Sequence, residues 1–207
     1  MPSYASLTDP KSYHLLTYGT LLGSNLFQTF IAGPLGFKAL PRAQFGTLQT
    51  AVLPTYFSVQ TVLPLALAFT WPGEKVARVG GAVIRENVGW QGMTAGSNVW
   101  HTLVPNAIMF WTSLLNLVVL GPATTRVMKK RRHQGERGCV RPLVELHMLI
   151  TVAETRDGKR YYDPGPKSAE MQRLTSSFMM LHGASSLASL VGTIAMIYYG
   201  FELADRL

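Results

Sequence analysis

Charge is what this sequence lacks most. Residues 12–37, 43–73, 87–125 and 174–201 contain no Asp, Glu, Lys or Arg, and these types make up 14% of the 207-residue chain. Soluble domains carry about a quarter, because their helices need a charged outer face. An ordinary soluble domain is therefore excluded. Each charge-free stretch exceeds the roughly 20 residues that take a helix across the hydrocarbon core. In lipid the backbone must satisfy its own hydrogen bonds, so helices are the expected solution. We read an all-α integral membrane bundle in one domain, 1–207. Its four transmembrane helices fall at approximately 13–35, 50–71, 100–121 and 177–200, with a long cytosolic loop, 122–176, between the third and fourth.

Other absences narrow the chemistry. The single cysteine, Cys139, excludes an intrachain disulfide framework and a CxxC metal site. No Asn-x-Ser/Thr sequon occurs, so no glycan marks topology. HExxH and GxSxG are missing. No carboxylate lies within a span, so positioned general acid–base chemistry is not expected, and neither is a cofactor. Gly80-Gly81 in the second loop does not fit a phosphate-binding pattern. The polar opening, residues 1–12, precedes an apolar run too long for a signal-peptide core. The first helix is thus expected to stay as an anchor.

What charge there is falls unevenly. If all four helices cross, one side receives five basic residues and the other fourteen, twelve of them in the third loop. The positive-inside rule then places the fourteen in the cytosol and both termini on the non-cytosolic side. Trp71, Trp100, Tyr198 and Tyr199 fall at the non-cytosolic ends, where aromatic rings favour the interface. Lys129, Lys130, Arg131 and Arg132 follow the third span directly. They read either as a topology signal alone or as a contact for anionic lipid headgroups. Aromatic residues are not interleaved with them, which argues against nucleic acid. Further on, Leu143, Leu146, Leu149, Ile150 and Ala153 share a helical face, as in an interfacial amphipathic helix. A strand turning at Asp157-Gly158 competes with that reading. Ser168 is placed to cap the last helix, with Glu170 in its first turn.

Polar residues inside the spans are the candidate functional groups. The first span has Gly19 and Gly23 at GxxxG spacing, then Asn25, Gln28 and Thr29 near one face. The second has Pro54 and Pro64, where kinks are expected. The third has Pro105, Asn106 and Asn116, and the fourth has His182, Ser185 and Ser189, with Ser186 beside them. Such groups are costly against lipid, so they are expected to face the bundle. The bland reading is a packing seam in which His182 meets Asn116 and Gly183 lets backbones approach. The sharper one is a solute contact at the seam's cytosolic mouth. Met179, Met180 and His182 also have the chemistry for a soft metal, though methionine is an ordinary packing residue. "FKALPRAQFG" (37–46) is expected to form a tight cap with a break at Leu40-Pro41.

Three stretches carry a family resemblance: 23–57, 116–128 and 178–187. Their Phe37, Leu40-Pro41-Arg42, Phe45-Gly46, Gln49, Pro54 and Phe57 resemble the signature of the transmembrane protein 205 family. So do Asn116, Pro122, Thr124-Thr125 and Met128, then His182-Gly183 and Ser185-Ser186. The likeness runs from Gly23 to Leu190, with the second loop and the middle of the third unmatched. Ala51 stands where the family usually has a basic residue, and Ser189 where it often has Asn. The resemblance implies a four-span membrane protein without a settled activity, in a family whose animal members are associated with resistance to platinum drugs. The functional expectation is therefore non-enzymatic support of transport or trafficking, including that of soft-metal complexes. The alternative is a structural or partner-docking membrane protein without transport activity.

Overall fold

A computed structural model describes residues 9–79, 82–96, 98–136, 162 and 164–206. Helix α1 (Pro10–Leu26), a π-helical turn (Phe27–Ala32) and α2 (Gly33–Ala39) follow without a break. The Asp9 carboxylate accepts the Lys11 N–H at 3.0 Å, and Pro10 opens the helix where its missing N–H costs nothing. Pro41 disfavours a helical Leu40, which is extended (φ −108°, ψ 144°), so α2 stops at Ala39. Helix α3 (Arg42–Phe69) starts directly after it. The expected break is therefore present and very short. Arg42 lies 3.6 Å over the Phe37 ring, and Phe37 meets Phe45 edge-on at 5.5 Å, fastening the two sides together.

Helix α3 continues through Pro54 and Pro64 as one element. Strands β1 (Glu74–Val79) and β2 (Ala82–Glu86) follow, antiparallel, with Glu74 opposite Glu86 and Val79 opposite Ala82. Among the described residues this hairpin is the departure from an otherwise helical chain, which is the all-α class expected. Val76, Val79, Val83 and Ile84 are β-branched and favour strands there. Next come α4 (Trp90–Thr94), a second π-helical turn (Val99–Leu103), α5 (Val104–Leu115), a third (Asn116–Leu120) and α6 (Gly121–Glu136). The last helix, α7 (Ala169–Arg206), is capped as expected: Ser168 Oγ accepts the Met171 N–H at 3.1 Å, with Glu170 in the first turn.

Three helical runs are long and apolar enough to cross a membrane: Arg42–Phe69, Val99–Gln134 and Ala169–Arg206. The chain is a multi-pass integral membrane protein on that ground. Four were expected. The run through α1 and α2 is long enough but is not among the three, because His14, Ser24, Asn25, Gln28 and several threonines dilute its apolar residues. The third run also passes its expected end at 121, since helix persists to Glu136. The amphipathic segment at 143–153, the Asp157-Gly158 turn, Cys139 and Gly80-Gly81 lie outside the described residues.

The chain divides into two compact units, Met1–Leu117 with Leu187–Leu207, and Val118–Ser186. The core of the first is apolar and tight: Leu21, Leu67, Trp71, Met93, Met109, Met196, Tyr199 and Leu203 are all buried. Its outside is apolar as well, with Phe27, Phe30, Phe69, Trp100, Trp111 and Phe201 exposed. That distribution suits a protein whose solvent is lipid.

Candidate functional site

The buried interior of the first unit holds a series of polar side chains at successive depths. At one end, His14 on α1 lies between Thr70 Oγ1 at 3.1 Å and the Tyr199 hydroxyl at 2.9 Å. Trp71 packs edge-on against the same ring, with centroids 5.6 Å apart. Deeper, Gln60 Nε2 on α3 donates to the Leu21 carbonyl at 3.2 Å and to Ser24 Oγ at 2.9 Å. Asn106 Nδ2 on α5 donates to the Pro64 carbonyl at 3.0 Å. Next, Asn25 Nδ2 donates to the Tyr56 hydroxyl at 3.0 Å, while Asn25 Oδ1 accepts from Thr193 Oγ1 at 2.9 Å. Asn116 Nδ2 then reaches Ser189 Oγ at 3.2 Å, and Gln28 lies 3.5 Å from Gln49 Oε1. Polar contacts thus recur from one end of the helices toward the other.

The expected seam is only partly the observed one. Asn25 and Asn116 are buried, Gln28 is half-buried and Thr29 is exposed. Ser185 is half-buried, whereas His182 and Ser186 are exposed. The His182 ring stacks on Phe178, one turn earlier, at 5.6 Å with planes 9° apart. Asn116 pairs with Ser189, two turns beyond the expected His182. Positions 182 and 189 share a helical face, but the interior stripe of α7 runs through Ser189, Thr193, Met196 and Tyr199. Sequence reading missed Gln60, Tyr56 and Thr193 as seam members. Their one signal is a lone polar residue within an apolar run.

Other expectations shift too. Gly19, Gly23 and Gly183 have nothing within 4 Å of where a Cβ would stand, so no helix closes on them among the described residues. Close approach occurs at Gly192 against Thr112 and at Gly200 against Tyr18. Trp71 and Tyr199, expected at the interface, are buried, while Trp100 and Tyr198 are exposed. Near Tyr198, His101 Nδ1 lies 2.7 Å from the phenol and 3.2 Å from the Glu202 carboxylate.

In the second unit, the basic cluster on α6 is not uniform. Lys129 and Lys130 are exposed and Arg132 is half-buried, but Arg131 is buried and lies 4.7 Å over the Phe178 ring. Met179 and Met180 are largely exposed. Among the described residues no three of His, Cys, Asp and Glu gather as metal ligands. Nothing in this unit draws the two methionines and His182 around one point.

Residues 16–133 match the family described as domain of unknown function DUF4149. Over 195 residues, 94% of this chain and 89% of the other, the sequence is 25% identical to xanthocillin biosynthesis cluster protein D of Aspergillus fumigatus. No solved structure matches.

Proposed function

Because the chain belongs to the DUF4149 family, whose function is undefined, its role has to be read from its own residues, and we propose that it supports transport or trafficking of a solute through the membrane without enzymatic chemistry. The polar series inside the first unit carries this reading. Polar side chains within membrane helices are expensive and tend to mark pathways. Here they succeed one another from His14 to Asn116 within an apolar exterior.

On this reading the run through α1 and α2 crosses the membrane as a fourth helix. At 1.5 Å per residue its residues 10–39 extend about 45 Å. Its exposed positions include Leu16, Phe27, Phe30 and Leu35, while His14 and Asn25 turn inward. Four crossings put both termini on one face, and the basic imbalance makes that face non-cytosolic. Lys129, Lys130 and Arg132 then meet anionic headgroups of the cytosolic leaflet, with Arg131 held on Phe178. The resemblance to the transmembrane protein 205 family points the same way. The outward-facing Met179 and Met180 give no support to a soft-metal cargo.

Purified protein in liposomes tests the proposal. Entry of urea, glycerol or a platinum(II) ammine complex faster than into protein-free liposomes is the expected result. Entry of none of the three, with a stable partner protein co-purifying from native membranes, would replace it with a docking role.

A further inference from the structure

Several buried polar atoms of the first unit have no hydrogen-bond partner, Asn98 Oδ1 and Trp71 Nε1 among them, and two amide oxygens of this kind sit on side chains that reach α3 close together. Gln60 and Asn106 are 1% and 5% exposed, and each commits its amide NH2 group to a carbonyl oxygen. A carbonyl only accepts, so the amide orientations are not interchangeable. Their own oxygens, Gln60 Oε1 and Asn106 Oδ1, have no hydrogen-bond partner. Asn25 makes the contrast, since its NH2 donates and its oxygen accepts. Both side chains reach α3 within about one turn of each other: Gln60 stands on it, and Asn106 of α5 is bound at the Pro64 carbonyl four residues on, a rise of about 6 Å. Pro64 adds to the imbalance, because it has no N–H to offer the Gln60 main-chain carbonyl. That level is rich in acceptors and short of donors.

Leaving a buried acceptor unmatched is costly, so a guest that donates is favoured there. The sequence decides its charge. Residues 43–73 and 87–125, which hold both amides, contain no Asp, Glu, Lys or Arg. A buried ion would go uncompensated, whereas an uncharged molecule carrying several O–H or N–H groups meets the oxygens without that penalty. We infer that the first unit binds small uncharged, donor-rich solutes of the polyol or urea type at Gln60 and Asn106. This inference rests on the transport reading for its purpose, though not for its geometry.

The experiment has a binding arm and a flux arm, both on the full chain. In the binding arm, glycerol should raise the melting temperature of the wild type in detergent along a saturating curve. Gln60→Met and Asn106→Leu should retain only the unsaturable part. In the flux arm, proteoliposomes should admit glycerol and urea faster than empty ones, each substitution cutting that entry by about fivefold, the scale of one lost hydrogen bond. Rubidium entry should equal that of empty liposomes. A saturating shift without flux in the wild type keeps the site and discards the transport reading. Flux that both variants retain, with no saturating shift in the wild type, overturns the site and keeps the transport reading. Rubidium entry that depends on the two amides also overturns the inference, because the site would then serve ions. If Gln60→Met does not fold, Asn106→Leu decides alone.

Discussion

The Tyr199 phenol donates to His14 Nε2 at 2.9 Å, joining residues 185 positions apart. The direction follows from the neighbours. Thr70 Oγ1 gives its proton to the Ala66 carbonyl at 2.7 Å, so it accepts from His14 Nδ1–H, leaving Nε2 as the acceptor. The start of α1, the end of α3 and the last third of α7 are thereby tied at one buried point. Tyr199→Phe should cost about 1 kcal/mol, the net worth of a typical hydrogen bond. His14→Ala should cost more, because it also vacates the packing on Trp71. Melting in detergent for both single variants and the pair checks this. Strictly additive losses would mean the bond contributes nothing.

The Asn25–Thr193 contact yields a second cycle. Asn25→Ala and Thr193→Val should couple by about 0.6 kcal/mol, as interhelical bonds in membranes do. His182→Ala, at an exposed ring, should shift melting little and couple to neither. A large loss from His182→Ala alone would put that residue back among the determinants of the bundle.

Glycines give a third contrast. A Cβ at Gly200 would run into the Tyr18 ring and hydroxyl, whereas Gly19 and Gly23 have open space. Gly200→Ala should cost about 1–3 kcal/mol as overpacking does. Gly19→Ala and Gly23→Ala should be neutral or slightly stabilising, since alanine favours helix. Equal losses at all three positions would indicate that the first helix packs on something beyond this chain.

Topology is checked by protease protection in sealed vesicles of known orientation. A C-terminal tag should survive protease added from the cytosolic side, and a site placed beside Lys129 should be cut. Digestion of the tag would reverse the proposed orientation.

Local chemistry made much of this fold legible. Charge-free windows located the membrane-capable helices, Pro41 located the break after Ala39, and Ser168 located the start of α7. The hairpin was missed because the second loop was weighed only for a phosphate-binding pattern, and the β-branched residues of 74–79 and 82–86 were not weighed as strand formers. The first span was the least legible of the four, because absence of charge is a weaker condition than apolarity and α1 satisfies only the first. The seam was half legible. Helical phase puts 182, 185 and 189 on one face, but how far along α7 its neighbours reach is a tertiary property. Gln60 and Thr193 have partners 36 to 168 residues away, and no local pattern announces such distant pairing.

The π-helical turns at Phe27–Ala32, Val99–Leu103 and Asn116–Leu120 make the helices unequal in their tolerance of length change. Each i→i+5 bond encloses one residue more than an α turn does. Deleting a residue elsewhere in a helix swings everything beyond it by about 100° and turns Asn25 or Asn106 out toward lipid. Within a π turn the same deletion removes the surplus and leaves an ordinary α turn. Single-residue deletions that preserve the protein should therefore collect at these three turns, the slack in an otherwise fixed register.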